Sequence, residues 1–180
     1  MILDLTKTIV DQMAVYDGDP EVSLKQIADI TRDGYQNSLL TINMHAGTHV
    51  DGLAHMLENK PTISEYPLDR FIGLARYVND NEAYINQGES ILVVNMQDSF
   101  LNKAFVESII KTNIQMIVIE KDSVDQPPYD IHKLLFSHGI MIVENASDID
   151  RLKTLDTFKL YAIPLKINAD ASPVRLFVEY

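Results

Sequence analysis

Apolar and polar positions alternate with a period of two from Met1 to Ile9, where Leu3, Leu5 and Ile9 oppose Asp4, Thr6 and Thr8. That spacing puts one set of side chains on each face of an extended chain and predicts a first strand. Val22 to Ile30 and Gln36 to Met44 alternate as well, the latter with Leu40, Ile42 and Met44 against Thr41 and Asn43. Arg32-Asp33-Gly34 lies between them as a turn signal, so an antiparallel pair is expected that delivers the chain to His45. Upstream, Val15-Tyr16-Asp17-Gly18-Asp19-Pro20 has the composition of a turn, because Gly18 supplies positive φ and Pro20 stops a helix.

Further along the pattern changes. Asn59-Lys60-Pro61 and Tyr66-Pro67 disfavour a long helix between Leu57 and Leu68, leaving a short helical turn and a loop. Phe71 to Val78 resumes a strand pattern, and Ile91 to Met96 is a short apolar run rich in β-branched residues, as in a strand buried on both faces. A helical stripe then appears, with Ala104, Phe105, Ile109 and Ile110 within Asn102 to Lys111, followed by the apolar run Met116 to Glu120. Ile131 to Phe136 and Gly139 to Glu144 repeat that helix-then-strand order, with Gly139 at the position that closes a helix. Asp148 to Leu155 reads as one more short helix, and Lys159 to Ile167 and Val174 to Tyr180 as the last strands. The pattern predicts one α/β domain over residues 1–180, a mixed central β-sheet with flanking helices.

Bulk properties narrow the function classes. A net charge of −11 disfavours electrostatic binding to nucleic acid or an anionic membrane, both of which need a basic surface. The absence of cysteine excludes disulfides, thiolate metal sites and cysteine nucleophiles, so any metal is held by nitrogen and oxygen. With no signal-like N-terminus and no apolar run of membrane-spanning length, a cytoplasmic protein is expected.

The candidate chemistry lies in His45-Ala-Gly-Thr-His49-Val-Asp51-Gly-Leu-Ala-His55. The 5 histidines of the chain fall in two windows, His45, His49 and His55 in one and His132 and His138 in the other. His45 and His49 have the spacing of two ligands on a helix face, but no glutamate follows His45 and Gly47-Thr48 interrupts the turn. In a strand, His49 and Asp51 point to one face, and Gly47 lets the backbone bring His45 round to them. Two nitrogens and one oxygen suit a divalent ion such as zinc or manganese, with positions left for water and substrate. His138 stands at a helix end, where an imidazole favours the last carbonyls, and is left out of the site. Asp122 and Asp125 read as turn formers. Tyr16 reads, on residue type alone, as a partly buried core tyrosine with its hydroxyl satisfied.

These residues resemble the HxGTHxDxPxH signature of the cyclase-like metal-dependent hydrolases, whose members include bacterial kynurenine formamidases. Downstream, Lys121-Asp-Ser-Val-Asp125, His132-Lys-Leu-Leu and Gly139-Ile-Met-Ile-Val-Glu144-Asn resemble the second half-site of that family, and Tyr16-Asp-Gly-Asp19-Pro resembles its N-terminal W-P-G-D-P turn. The resemblance implies a compact α/β fold assembled as a dimer or tetramer, and two divalent ions per subunit. It implies a first ion on His45, His49 and Asp51, with Asp51 bridging to a second held by His132 and Glu144. His55 takes the acid/base position, with a fourth metal ligand as its alternative, and Tyr16 stands where a substrate-contacting tryptophan is found. The implied activity is hydrolysis of a C–N bond in a small formamide or cyclic amide, of the arylformamidase type. An isatin-like lactam, an ester or a lactone is the alternative substrate, and a metal-binding module without turnover the alternative class. Leu53 at the usual proline, Asp17 at another proline and Tyr16 at the tryptophan are departures, and the last two touch the substrate pocket.

Overall fold

The computed structural model describes residues 1–180. Ten strands form, β1 (Ile2–Asp4), β2 (Ser23–Ala28), β3 (Asn37–Thr41), β4 (His49–Asp51), β5 (Ile72–Asn79), β6 (Ile91–Asn95), β7 (Met116–Ile119), β8 (Met141–Glu144), β9 (Phe158–Pro164) and β10 (Ala171–Glu179). The helices are α1 (Ile30–Asp33), α2 (Lys103–Ile109) and α3 (Asp130–Ser137). The expected mixed sheet is present and closes on itself. Its order runs β10-β4-β8-β7-β6-β5-β9, and β9 pairs back with β10 to complete a barrel-like ring of 7 strands. Strands β5 to β8 are parallel neighbours, while β4, β9 and β10 join antiparallel.

Closure explains why β6, β7 and β8 read as unbroken apolar runs. Ile91, Val93, Met116, Val118, Met141 and Val143 point into the ring, where they meet Val50, Leu160, Leu176 and Val178. Leu92, Val94, Ile117, Ile119 and Ile142 point outwards and are covered by Phe105, Val106 and Ile109 of α2 and Leu135 and Phe136 of α3. Both faces are therefore dry, as in parallel sheets generally. Asn102 caps α2, its side chain accepting from the amides of Ala104 and Phe105.

Two elements differ from the sequence reading, and the antiparallel hairpin it predicts is present. The first strand ends at Asp4; Leu5 still donates its amide to the Leu176 carbonyl, and Lys7 donates its amide to Thr48 Oγ1. Ile149 to Leu152 forms one 3-10 turn in place of a longer helix. The hairpin β2–β3 forms in antiparallel register, with Leu24 opposite Leu40, but stands apart from the ring. Its alternation faces solvent, leaving Ile27, Ile30, Tyr35 and Leu39 exposed.

The outer core depends on Phe105, which is fully buried between α2 and the sheet. Phe105→Ala is expected to destabilise the fold by about 3–5 kcal/mol, since it removes a buried ring and leaves a cavity. Urea unfolding checks this; a loss below ~1 kcal/mol would show that α2 does not hold the outer layer.

Candidate metal centre

Strand β4 positions the site. It is only three residues long but is paired on both sides, with His49 opposite Glu144 of β8 and opposite Pro173 of β10. Val50 points into the ring, so His49 and Asp51 point out, on the same side as Glu144. Gly47, at φ 69, turns the chain before the strand and brings His45 alongside, its Nδ1 2.9 Å from Asp51 Oδ1. From α3 comes His132, whose Nε2 is 3.3 Å from Glu144 Oε1. His55 closes the 3-10 turn Leu53–His55, and its ring lies 4.3 Å from that of His45.

Hydrogen bonds around the rim fix which nitrogen of each ring is free. His49 Nδ1 donates to the carbonyl of Gly47 at 2.9 Å, which leaves its Nε2 facing Asp51 Oδ1 at 3.3 Å and Glu144 Oε2 at 3.6 Å. His132 Nδ1 is held by Asp125 Oδ1, which leaves its Nε2 facing Glu144. His45 Nε2 donates to Asp170 Oδ2 at 3.1 Å, which leaves its Nδ1 facing Asp51. Three ring nitrogens and two carboxylates thus converge, and in the neutral tautomers these bonds select, acceptor would oppose acceptor. His49 Nε2, Asp51 Oδ1 and Glu144 Oε1 are fully buried and lack a hydrogen-bond partner. Such groups are costly unless a proton or a cation lies between them, and His49, Asp51 and Glu144 offer ligand atoms that all lie within 4.8 Å of one another. This donor set fits a divalent ion in the borderline class, with the outer hydrogen bonds orienting each imidazole as metal sites require.

In the metal-free chain the imidazoles meet the carboxylates by holding protons. Burial, the largest influence on His45 and His132, lowers their pKa, but Asp51 and Asp170 around the first and Asp125 and Glu144 around the second outweigh it and raise both to about 9. His49 is raised against its burial by the charge of Asp51. Burial raises Glu144, with His132 pulling the other way, whereas the imidazoles hold Asp51 well below the usual carboxylate range despite its burial.

His45, His49, Asp51, His132, Glu144, His55 and Tyr16 all line one cavity of about 400 Å³, also bounded by Asp17, Asp19, Asp122 and Tyr129. The family resemblance implies the same residues for the site. Tyr16 is 39% exposed at the mouth rather than set in the core, and hydrogen bonding with Tyr129 raises its pKa. His138 turns back to the carbonyl of Leu134, away from the site. Asp125 corrects the sequence reading in part. It does bond the backbone, accepting from the amide of Ile131 at 2.6 Å, but its other oxygen holds His132. Asp170 had no signal. It lies 115 positions from His55 and reaches the site because β10 pairs with β4 so that Ala171 stands opposite Asp51.

The chain belongs to the cyclase family: the model described as putative cyclase matches residues 3–104. An uncharacterised protein of Methanocaldococcus jannaschii is 31% identical over 97% of this chain and 96% of its own. The kynurenine formamidase of Bacillus cereus is 26% identical over 98% of this chain and 96% of its own. Among solved structures, an isatin hydrolase bound to the product analogue thioisatinate superposes with a TM-score of 0.81 at 17% identity, covering 98% of this chain and 91% of its own. A predicted metal-dependent hydrolase from Bacillus stearothermophilus superposes with a TM-score of 0.75 at 23% identity, covering 99% and 97%.

The raised imidazoles predict a pH dependence. In the metal-free chain, His45 and His132 bind protons more tightly folded than unfolded, so their contribution to stability is complete below about pH 6.5 and is lost as pH rises through about 9. Metal needs the neutral rings and displaces those protons, so its stabilising effect grows over the same interval. Thermal melts of chelator-treated protein, with and without manganese, are expected to show a falling metal-free midpoint and a widening metal-induced shift between pH 6.5 and 9. A constant shift would contradict the protonated, metal-competing site.

Proposed function

We propose that this protein is a metal-dependent hydrolase that cleaves the C–N bond of a small formamide or cyclic amide. The observation that carries the reading is the convergence of His49 Nε2, Asp51 Oδ1 and Glu144 Oε1, all buried and without a hydrogen-bond partner, with the rings of His45 and His132 beside the two carboxylates. His45, His49 and Asp51 would hold one divalent ion and His132 and Glu144, with Asp51 shared, a second; zinc suits this set best, with manganese as the alternative. Such ions supply an acidified water and Lewis-acid polarisation of the scissile carbonyl.

The residues of the chain do the rest. An amine leaves poorly unless its nitrogen is protonated, and His55, half-buried in the same cavity, carries that proton. Tyr16 and Tyr129 stand together at the mouth, where their rings can stack on a planar group of the substrate. The formamide reading is supported by the kynurenine formamidases among the relatives that align over nearly the full chain. No helix is long and apolar enough to cross a membrane. Self-association belongs to the same proposal: the hairpin β2–β3 leaves Ile27, Ile30 and Leu39 exposed, and a homo-oligomer would cover them.

Turnover of aryl formamides, lactams, esters and lactones by protein purified without chelator, then stripped and reloaded with zinc or manganese, tests the activity. Hydrolysis that disappears on stripping and returns on reloading is expected; metal binding without turnover of any of these would leave a metal module instead. His55→Ala is expected to keep its metal and lose roughly 10²- to 10⁴-fold in kcat. Loss of metal in that variant would make His55 a ligand. Light scattering of the purified protein is expected to give a multiple of the 20.4 kDa chain mass, and a monomer would remove the self-association.

A further inference from the structure

Asp170 is the one carboxylate at the site that touches both His45 and His55. Its Oδ2 is 3.1 Å from His45 Nε2 and 2.9 Å from His55 Nδ1. We infer that Asp170 is a positioning residue for the reaction, fixing the ring orientation and tautomer of His55 through the same oxygen that orients His45. This rests on the reading of His55 as the proton carrier.

The placement of Asp170 is built into the fold. Gly52 donates its amide to the Asp170 carbonyl at 2.8 Å, and a Cβ on Gly52 would lie 2.9 Å from that oxygen, so only glycine permits the approach. Before it, Ile63 donates to Ala169 and Ser64 to Ile167, both at 2.9 Å, and Thr62 Oγ1 donates to Asn168 Oδ1 at 2.8 Å. After it, β10 begins in register with Asp51. The segment is held on both sides, so its carboxylate is a fixed point.

The chemical consequence follows from what a carboxylate does. A carboxylate offers only acceptors, and Asp170 Oδ2 lies within hydrogen-bond distance of a ring nitrogen of both His45 and His55. Both imidazoles must donate to it. In neutral His55 the proton therefore sits on Nδ1, and Nε2 is left as the nitrogen that exchanges protons with substrate. A neutral imidazole free of such a partner takes either tautomer and turns about its side-chain bonds. Asp170 thus removes the unproductive tautomer and orientation, as the outer carboxylate does for ligand histidines.

The test uses Asp170→Ala and Asp170→Asn in the zinc-loaded protein. Ring ¹⁵N spectra, with His55 assigned by its loss in His55→Ala, are expected to show the Nδ1–H tautomer in the native chain. In Asp170→Ala a mixture or the Nε2–H form is expected, with zinc per chain unchanged. Asparagine, which keeps an acceptor oxygen of the same reach, is expected to restore much of the Nδ1–H signal. On a hydrolysed substrate, Asp170→Ala should lower kcat roughly 10- to 100-fold with KM little changed. An unchanged His55 tautomer in Asp170→Ala would overturn the inference whatever the activity, and loss of zinc would move the role to His45 and overturn it also. Absence of turnover in the native protein would defeat the proposed hydrolase instead, and the tautomer spectra would still decide whether Asp170 positions His55.

Discussion

Two carboxylates, Asp51 and Glu144, are buried beside one another and beside three imidazole nitrogens, each of which must hold either a proton or a cation against them. Ligand atoms of Asp51 and Glu144 lie within 4.8 Å, and at an effective dielectric of ~20 two such charges repel by roughly 3–4 kcal/mol. Protons on the imidazoles, or divalent ions between all five groups, relieve this. A structure that gathers these groups in a closed layer between sheet and helix is shaped around a cation. The remaining features of the site can be understood as ways of holding those groups in place.

The ring supplies the first of them. Because β4 is bracketed by β8 and β10, three residues suffice to set His49 and Asp51 against Glu144 and to bring Asp170 to the edge of the cavity. A one-residue slip of β4 would turn His49 and Asp51 into the apolar interior and Val50 out, so the register of the barrel and the ligand set are the same constraint. α3 supplies the second. Asp125 bonds its first turn through Ile131 and its histidine through the other oxygen, coupling the start of the helix to the orientation of His132. Phe136, on the same helix, packs edge-on against both His55 and His132, which gives the polar site an apolar wall.

Much of this is legible in the sequence because it is local. The doubly apolar runs of β6, β7 and β8 announce strands with two dry faces, and the His45 to His55 window carries its ligand spacing in one short stretch. What is not legible is what depends on distant pairing. Closure of the sheet is made by β9 meeting β10, and nothing in Phe158–Pro164 or Ala171–Glu179 alone distinguishes a ring from an open sheet. Asp170 has the composition of an ordinary loop aspartate, and only the β4–β10 register shows where it points. The alternation in Ser23–Ala28 and Asn37–Thr41 correctly gives a hairpin, but alternation does not say which surface covers it, and the ring does not. Asp125 forms a turn and an ion pair at once, and the first of these roles is the one its neighbours in sequence reveal.

The most direct test of the central claim is anomalous diffraction from crystals of protein loaded with zinc, with data collected on either side of the zinc edge. Anomalous density is expected among the side chains of the site, one peak beside His45, His49 and Asp51 and a second beside His132, Glu144 and Asp51, with His45 and His132 oriented by Asp170 and Asp125. Crystals soaked in zinc that show no peak there, with protonated imidazoles bonded directly to Asp51 and Glu144, would contradict it.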